Sequence, residues 1–315
     1  MKAALVAAFG GPEVLSVAEV PDPVPAPGQL LVRVGAAGVG GADVLVREGR
    51  YPFLPSGPPV VPGFEVAGTV VGPAGNPLVG SRVLGLAPPG GHAELALVEE
   101  ASAAVLPEDV PDEVAAAIGI TGATAYVAMG RVAPVAGERV LIRGASGGMG
   151  SIATQLAAQR GAHVTAATAG PAADQLRAWG AAEIFRRSPG ASVPPGPYEV
   201  VIDFVAGPDA AACVDALAPN GRLLVCGATA GLPGADVWAH LLGAFGRSVS
   251  LHLLSLHSVG PEVIRTALTT LVGATRAGTL HPRVHATVPL ADVARAYALV
   301  ESGTPVGKVV LTPGS

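Results

Sequence analysis

Apolar positions follow two regimes along the chain. Up to about residue 118, short apolar runs such as 30–34 and 66–71 are separated by proline- and glycine-rich clusters at 21–28, 55–63, 72–77 and 88–91. That is the pattern of a β-rich unit with many turns. From about residue 120 the spacing changes, and apolar strands near 139–143, 163–168, 200–204, 222–226 and 249–253 alternate with helical patterns. The alternation predicts a parallel sheet with helices on both faces. Further helices are predicted over 261–276 and 290–302, and a closing strand over 308–311. No internal repeat or low-complexity tail is present.

One strand-to-helix junction carries chemistry. Val140, Leu141, Ile142 and Arg143 run straight into glycines at 144, 147 and 150. Met149, Ile152, Ala153, Leu156 and Ala157 then share one helical face, and Gly161 supplies a stop. The first glycine allows a tight turn, the second lets backbone approach a pyrophosphate, and the third lets helix and strand pack closely. The helix N-terminus offers N–H groups and partial positive charge to phosphate, with Gly148 and Met149 in its first turn. The same residues spell G-x-S-x-G from Gly144 through Ser146 to Gly148, the nucleophile-elbow pattern of α/β-hydrolases. No H-G-G-G segment precedes it, and Gly90-Gly91-His92 runs in the opposite order. Histidines at 240, 252, 257, 281 and 285 keep a serine hydrolase open. As a third reading, Ser146 is a turn residue with its hydroxyl near phosphate or solvent.

Composition narrows the field. A chain of 315 residues holds two domains with real cores. A net charge of −5 gives no footprint for nucleic acid or anionic membrane. The mean hydropathy of +0.51 comes from Ala, Val and Leu spread along the chain. The longest uncharged run, 114–130, is broken by Gly119 and Gly122 and reads as a buried helix and loop rather than a membrane span. Gly10-Gly11-Pro12 ends the first apolar run without a cleavage pattern, so no signal peptide is expected. Cys213 and Cys226 make no disulfide framework. The expectation is a soluble cytoplasmic protein with reduced, buried thiols.

A series of strings in fixed order resembles a known family: Phe9-Gly10-Gly11-Pro12-Glu13-Val14-Leu15, Pro62-Gly63-Phe64-Glu65-Val66-Ala67-Gly68, Gly90-Gly91-His92-Ala93-Glu94, Thr124-Ala125-Tyr126, the 144–150 loop, Leu217-Ala218-Pro219-Asn220-Gly221-Arg222 and Gly307-Lys308-Val309-Val310-Leu311. Together they resemble the zinc-free quinone oxidoreductase, or ζ-crystallin-like, branch of the medium-chain dehydrogenase/reductase superfamily. The resemblance implies an α/β protein: a GroES-like β-rich catalytic domain from residues 1–118 and 258–315, with a Rossmann doubly wound parallel-sheet domain, 119–257, inserted. The active site would lie in the cleft between them. Zinc relatives carry Cys and His where this chain has Gly40, Gly41 and Phe64. Glu65 and Asp43 alone make a poor zinc site, so no metal is expected.

The expected cofactor is NADPH. A ribose-binding acid belongs at the end of the second strand of such a unit, but 163–170 contains none. Its absence removes the repulsion that excludes a 2′-phosphate. Arg177, Arg186 and Arg187 are candidates to hold that phosphate, and each alternatively reads as a solvated surface arginine. The resemblance adds Thr124, Thr168, Val205, Gly227 and Lys308 to the cofactor contacts, with Tyr126 beside Thr124. For catalysis, the family's Asn and Tyr are replaced by Gly40 and Leu45. Tyr51 matches a substrate-pocket tyrosine able to protonate an enolate, or is simply packed at a loop turn. His92 is a second possible donor or a plain loop histidine, and Asp43 orders the loop more readily than it acts as base. The implied reaction is hydride transfer to the β-carbon of a quinone or enone, including an enoyl intermediate of secondary metabolism. A non-catalytic NADPH-binding protein is the alternative, beside the hydrolase. Dimerisation is expected through the apolar edge at 249–253, unless a loop of the same chain covers it.

Overall fold

In the computed structural model, which describes residues 1–54, 56–188 and 191–314, the chain divides into two units. Pro55, in the cluster at 55–63, lies outside the described residues. One unit joins Met1–Ala123 to Gly260–Ser315; the other is Thr124–Val259.

The first unit begins with an antiparallel pair, β1 (Lys2–Val6) and β2 (Leu15–Glu19). There follow β3 (Gln29–Val39), α1 (Gly41–Arg47), β4 (Glu65–Gly72), β5 (Arg82–Leu86), β6 (Leu95–Glu99) and β7 (Ala104–Val105). Helices α2 (Asp112–Ala116) and α3 (Gly119–Val132) then lead toward the second unit. Along β3, Leu30, Val32 and Val34 face a core with Val66, Val83 and Val98, while Arg33 points outward. This is the period-two alternation of a strand with one buried face.

The helices α1 and α2 correct the all-β reading of residues 1–118. Each is at most seven residues long, too short to print a helical period on the sequence. Arg47, fully buried at the end of α1, makes two bonds to Glu301, of 2.7 and 2.8 Å, and a third to the Gly10 carbonyl.

The second unit is built from β8 (Arg139–Arg143), α4 (Gly148–Gln159), β9 (His163–Thr168), α5 (Ala173–Ala178), β10 (Glu183–Arg186), β11 (Tyr198–Asp203), α6 (Ala210–Asp215), β12 (Leu217–Val225), α7 (Asp236–Gly243) and β13 (Ser250–Leu253). Its six strands are all parallel, in the order β10-β9-β8-β11-β12-β13. Val140, Leu141 and Ile142, like Val200, Val201 and Ile202, are wholly buried. Continuous apolar strands of this kind belong to a sheet covered on both faces. The order reverses between β8 and β11, which creates a crevice at their C-terminal ends. Strand β10 is absent from the sequence reading because Ile184 and Phe185 stand alone between Glu183 and Arg186.

The chain then returns to the first unit with α8 (Pro261–Arg276), β14 (Val284–Pro289), α9 (Val293–Glu301) and β15 (Lys308–Thr312). The larger sheet there runs β14-β15-β3-β4-β5-β7, with β6 also paired to β3. The helix expected over 290–302 begins as a 3-10 turn, Leu290–Asp292, before α9. Val293, Ala296 and Tyr297 bury one face of α9 against Val309, Leu311 and Val6. Among the described residues no helix is long and apolar enough to cross a membrane. Both cysteines are buried free thiols, and burial pushes each up to about 12.

Candidate cofactor and active-site residues

The three glycines after β8 each meet a different constraint. Gly144 has φ +75, a conformation that favours glycine, and the N–H groups of Gly144 and Ala145 both donate to the Ala167 carbonyl at 3.1 Å. A Cβ on Gly150 would sit 2.2 Å from the Gly144 oxygen, so that position packs helix against turn and admits no side chain. Gly147 is the N-cap of α4 at φ −75, with no side chain capping the helix. A Cβ placed there would come no nearer than 3.6 Å to the Gly144 oxygen. The loop therefore leaves an open cradle at an uncapped helix N-terminus, which fits a diphosphate.

Ser146 sits in this loop, with its Oγ accepting from Thr168 Oγ1 at 2.9 Å. Thr168 Oγ1 in turn accepts from the Gly170 N–H at 3.2 Å, so Ser146 keeps its own proton to donate. This geometry corrects the hydrolase alternative. Among the described residues the recorded hydrogen-bond partner of Ser146 is a threonine rather than a histidine. The left-handed residue of the turn is Gly144 and not the serine, as a nucleophile elbow would need.

The end of β9 also gathers the candidate phosphate ligands. Arg186 lies opposite Thr168 in register and is exposed. The Arg187 N–H donates to the Thr168 carbonyl at 2.9 Å, and its Nε is buried without a partner among the described residues. Arg177 is well exposed on α5 and lies 3.7 Å from the Asp174 carboxylate. Across the crevice, Val205 and Gly227 follow β11 and β12. A Cβ on Gly227 would meet the Phe204 carbonyl oxygen at 2.3 Å, so the two segments touch backbone to backbone. Thr124 is buried in α3.

Three predicted residues of the first unit have other occupations. His92 is fully buried, with Nε2 3.0 Å from the Gly38 carbonyl and Nδ1 3.1 Å from the Tyr297 hydroxyl. A carbonyl only accepts, so Nε2 carries the proton and Nδ1 receives the tyrosine's. Neither nitrogen is left for a substrate, which corrects His92 as a donor. Asp43 accepts the N–H of Gly40 at 2.8 Å and of Gly63 at 3.0 Å; it ties two loops together, which favours its loop-ordering reading and corrects the catalytic one. Lys308 is buried against the Glu65 carboxylate, with its ammonium engaged inside this unit, which corrects it as a cofactor ligand.

Tyr51 remains. It is half-buried, its ring 5.0 Å from Phe64 and 5.9 Å from Phe53. Burial first, and the nearby Asp43 charge second, push its hydroxyl up to about 12.

Sequence reading missed two buried ion pairs, Glu65–Lys308 and Arg143–Asp203. Their signal was a charge inside an otherwise apolar strand, which calls for a partner but does not name it.

Comparison with known proteins places the chain in a family. The model of the alcohol dehydrogenase GroES-like domain family matches residues 26–135, and that of the zinc-binding dehydrogenase family residues 179–311. Quinone oxidoreductase from Sus scrofa is 32% identical over 327 residues, spanning 99% of this chain and 97% of that protein. A mycocerosic acid synthase-like polyketide synthase of Mycobacterium tuberculosis is 32% identical over 311 residues, spanning 91% of this chain and 14% of that protein. Among solved structures, a mycobacterial protein complexed with NADPH superposes with a TM-score of 0.88 at 30% identity, covering 99% of this chain and 100% of that one. The donor set does not fit zinc. Gly40, Gly41 and Phe64 bear no ligand atoms, and among the described residues no three His, Cys, Asp or Glu cluster to hold a metal.

Proposed function

The chain belongs to the zinc-free quinone oxidoreductase branch of the medium-chain dehydrogenase/reductase superfamily, and on that premise we propose that it reduces conjugated carbonyl compounds. It is an NADPH-dependent oxidoreductase, a conclusion supported by its quinone oxidoreductase relative and by the NADPH complex of its structural neighbour. When bound, NADPH supplies a hydride, here to the β-carbon of a quinone or enone. The observation that carries the reading is the open glycine cradle at the uncapped start of α4.

Each protein group has a separate task. The first turn of α4 and Gly147 bind the pyrophosphate through backbone N–H groups. Ser146, Thr168, Arg186 and Arg187 hold the 2′-phosphoribose. The carboxylate that would repel this phosphate is missing from β9. Tyr51 delivers the proton that completes reduction. A phenol that stays protonated to about pH 12 is an acid rather than a base at neutral pH, so its contribution stays level from neutral pH to about pH 10.

The test follows NADPH consumption with a panel of quinones and enones. Turnover with one class is expected, and Tyr51→Phe should lower it about a hundredfold without changing NADPH affinity. NADPH binding without turnover on any member would instead support a non-catalytic binder. The polyketide synthase match favours enoyl compounds as a second reading of the substrate, because a chain-building synthase handles unsaturated acyl groups. Arg187→Ala should raise the Kd for NADPH about tenfold and leave NADH binding unchanged. Equal losses for both cofactors would refute its phosphate role.

The protein is also proposed to form a two-fold dimer through β13. That strand ends the sheet, pairing with β12 alone among the described strands. Leu253 on it is 73% exposed, and Trp238, Leu242 and Phe245 in the segment leading into it are exposed too. An apolar open edge of this kind favours pairing with a copy of itself. Light scattering should report a dimer, converted to monomer by Leu253→Lys. A wild-type monomer at micromolar concentration would rule the dimer out. Leu251 is the poorer probe, because it packs partly against the core.

A further inference from the structure

Arg143 and Asp203 end two neighbouring parallel strands and stand opposite each other in register. Both are fully buried, and Arg143 Nη1 donates to Asp203 Oδ2 at 2.6 Å. Nη2 donates to Asp209 Oδ2 at 3.1 Å, and the Cys213 thiol faces Asp203 Oδ2 at 3.8 Å. The other carboxylate oxygen, Oδ1, accepts the backbone N–H groups of Val205 at 2.9 Å and Ala206 at 3.0 Å. Ala206 is held at φ +55, where a residue with a Cβ is strained, and Gly207 follows at φ +71. One carboxylate thus clamps a strained segment on one side and a cation on the other.

This clamp sits at the floor of the crevice between β8 and β11. A Cβ on Gly144 would lie 3.1 Å from Val205 Cγ2, so the strained segment abuts the glycine turn. Thr168, Arg186 and Arg187 lie on the β9–β10 side of that turn, and Val205 lies on the opposite, β11 side. With the 2′-phosphoribose on the first side and the pyrophosphate at the turn, the nicotinamide half must extend toward Val205. A buried ion pair contributes little stability beyond what apolar residues of similar size would give. Stability alone therefore does not account for two charges at this point.

We infer that Arg143 and Asp203 are positioning residues that lock the Val205–Ala206 segment against the nicotinamide half of the cofactor and leave the adenosine half untouched. The inference rests on the NADPH reading above. It also explains why the residue is a carboxylate. An amide in its place would turn an NH2 group either on Arg143 or on the two loop N–H groups, and donors would face donors on one side.

The experiment titrates the full-length protein with NADPH and, separately, with 2′,5′-ADP, which carries only the adenosine half. Asp203→Asn should weaken NADPH about tenfold through lost preorganisation and leave 2′,5′-ADP unchanged. If that variant fails to fold, Arg143→Met combined with Asp203→Leu replaces the pair by apolar groups, removes the acceptor for both N–H groups, and should give the same split. Parallel loss of both ligands would make the pair a general framework element and overturn the inference; so would undiminished NADPH binding. A wild-type protein that takes up neither ligand would instead sink the NADPH reading itself.

Discussion

Gly147→Val should yield a folded protein that no longer binds NADPH. At φ −75 the backbone of Gly147 suits any residue, and the nearest atom to an added Cβ is 3.6 Å away. The added Cβ therefore makes only an ordinary van der Waals contact with the protein. The valine side chain stands where phosphate must approach the first N–H groups of α4, a site that works only through close backbone contact. NADPH affinity should fall by more than about a hundredfold, with an unchanged melting temperature. Gly150→Ala is the opposite case, because its methyl would meet the Gly144 oxygen at 2.2 Å and damage the fold. Normal NADPH affinity in Gly147→Val would remove the loop from the cofactor site.

Lys308→Met should cost about 3–5 kcal/mol of stability, the usual result of stripping a buried carboxylate of its partner. Glu65 has nowhere to go. Cβ atoms on Gly38 and Gly119 would each lie 2.2 Å from one of its carboxylate oxygens, so those two glycines wall it in. Burial already pushes the Glu65 carboxyl up from its ordinary value, and Lys308 pulls it back. Without the lysine, the folded state binds the Glu65 proton more tightly than the unfolded chain does. Stability then falls as pH rises from about 4 toward neutral, and the deficit is largest above the folded-state value. Urea unfolding near pH 5 and pH 8 reads this directly. Adding Glu65→Gln should recover most of the loss, because a neutral amide tolerates burial better than a bare charge. NADPH affinity should not change, since the ammonium is occupied by Glu65. Full stability in Lys308→Met at both pH values would refute the pairing argument.

The parts of the fold that were legible in the sequence share one property: their signal is local and repeated. The strand–glycine–helix junction at 139–159 presents a buried apolar run, positive-φ glycine and a helical face in consecutive residues, so each element supports the next. The apolar parallel strands are legible for the same reason. Strand β10 and helix α1 are not, because four and seven residues hold no more than two periods, too few for a pattern to stand out. Among the site residues, Ser146 and Thr168 were readable as loop and strand-end hydroxyls, but their mutual hydrogen bond was not. The partners of His92, Asp43 and Lys308 were illegible for a common physical reason. What a buried polar group does depends on the partner that desolvation forces upon it. Tyr297, Gly63 and Glu65 are brought to them only by the tertiary fold.

The pairing of β15 with β3 dictates an order of events during synthesis. Val39 hydrogen-bonds beside Val309, and Tyr297 fills a core that also needs Val6. While the ribosome is still adding residues between them, one edge of β3 has no neighbour along residues 37–39 and the core under β1 lacks α9. Residues 124–259, by contrast, are continuous and can collapse as soon as they emerge. The early β-rich segment must therefore wait, exposed, for the last strand, and closing so long a loop makes this the slow step of folding. Chaperone demand in this protein should accordingly fall on its first hundred or so residues rather than on the cofactor-binding unit.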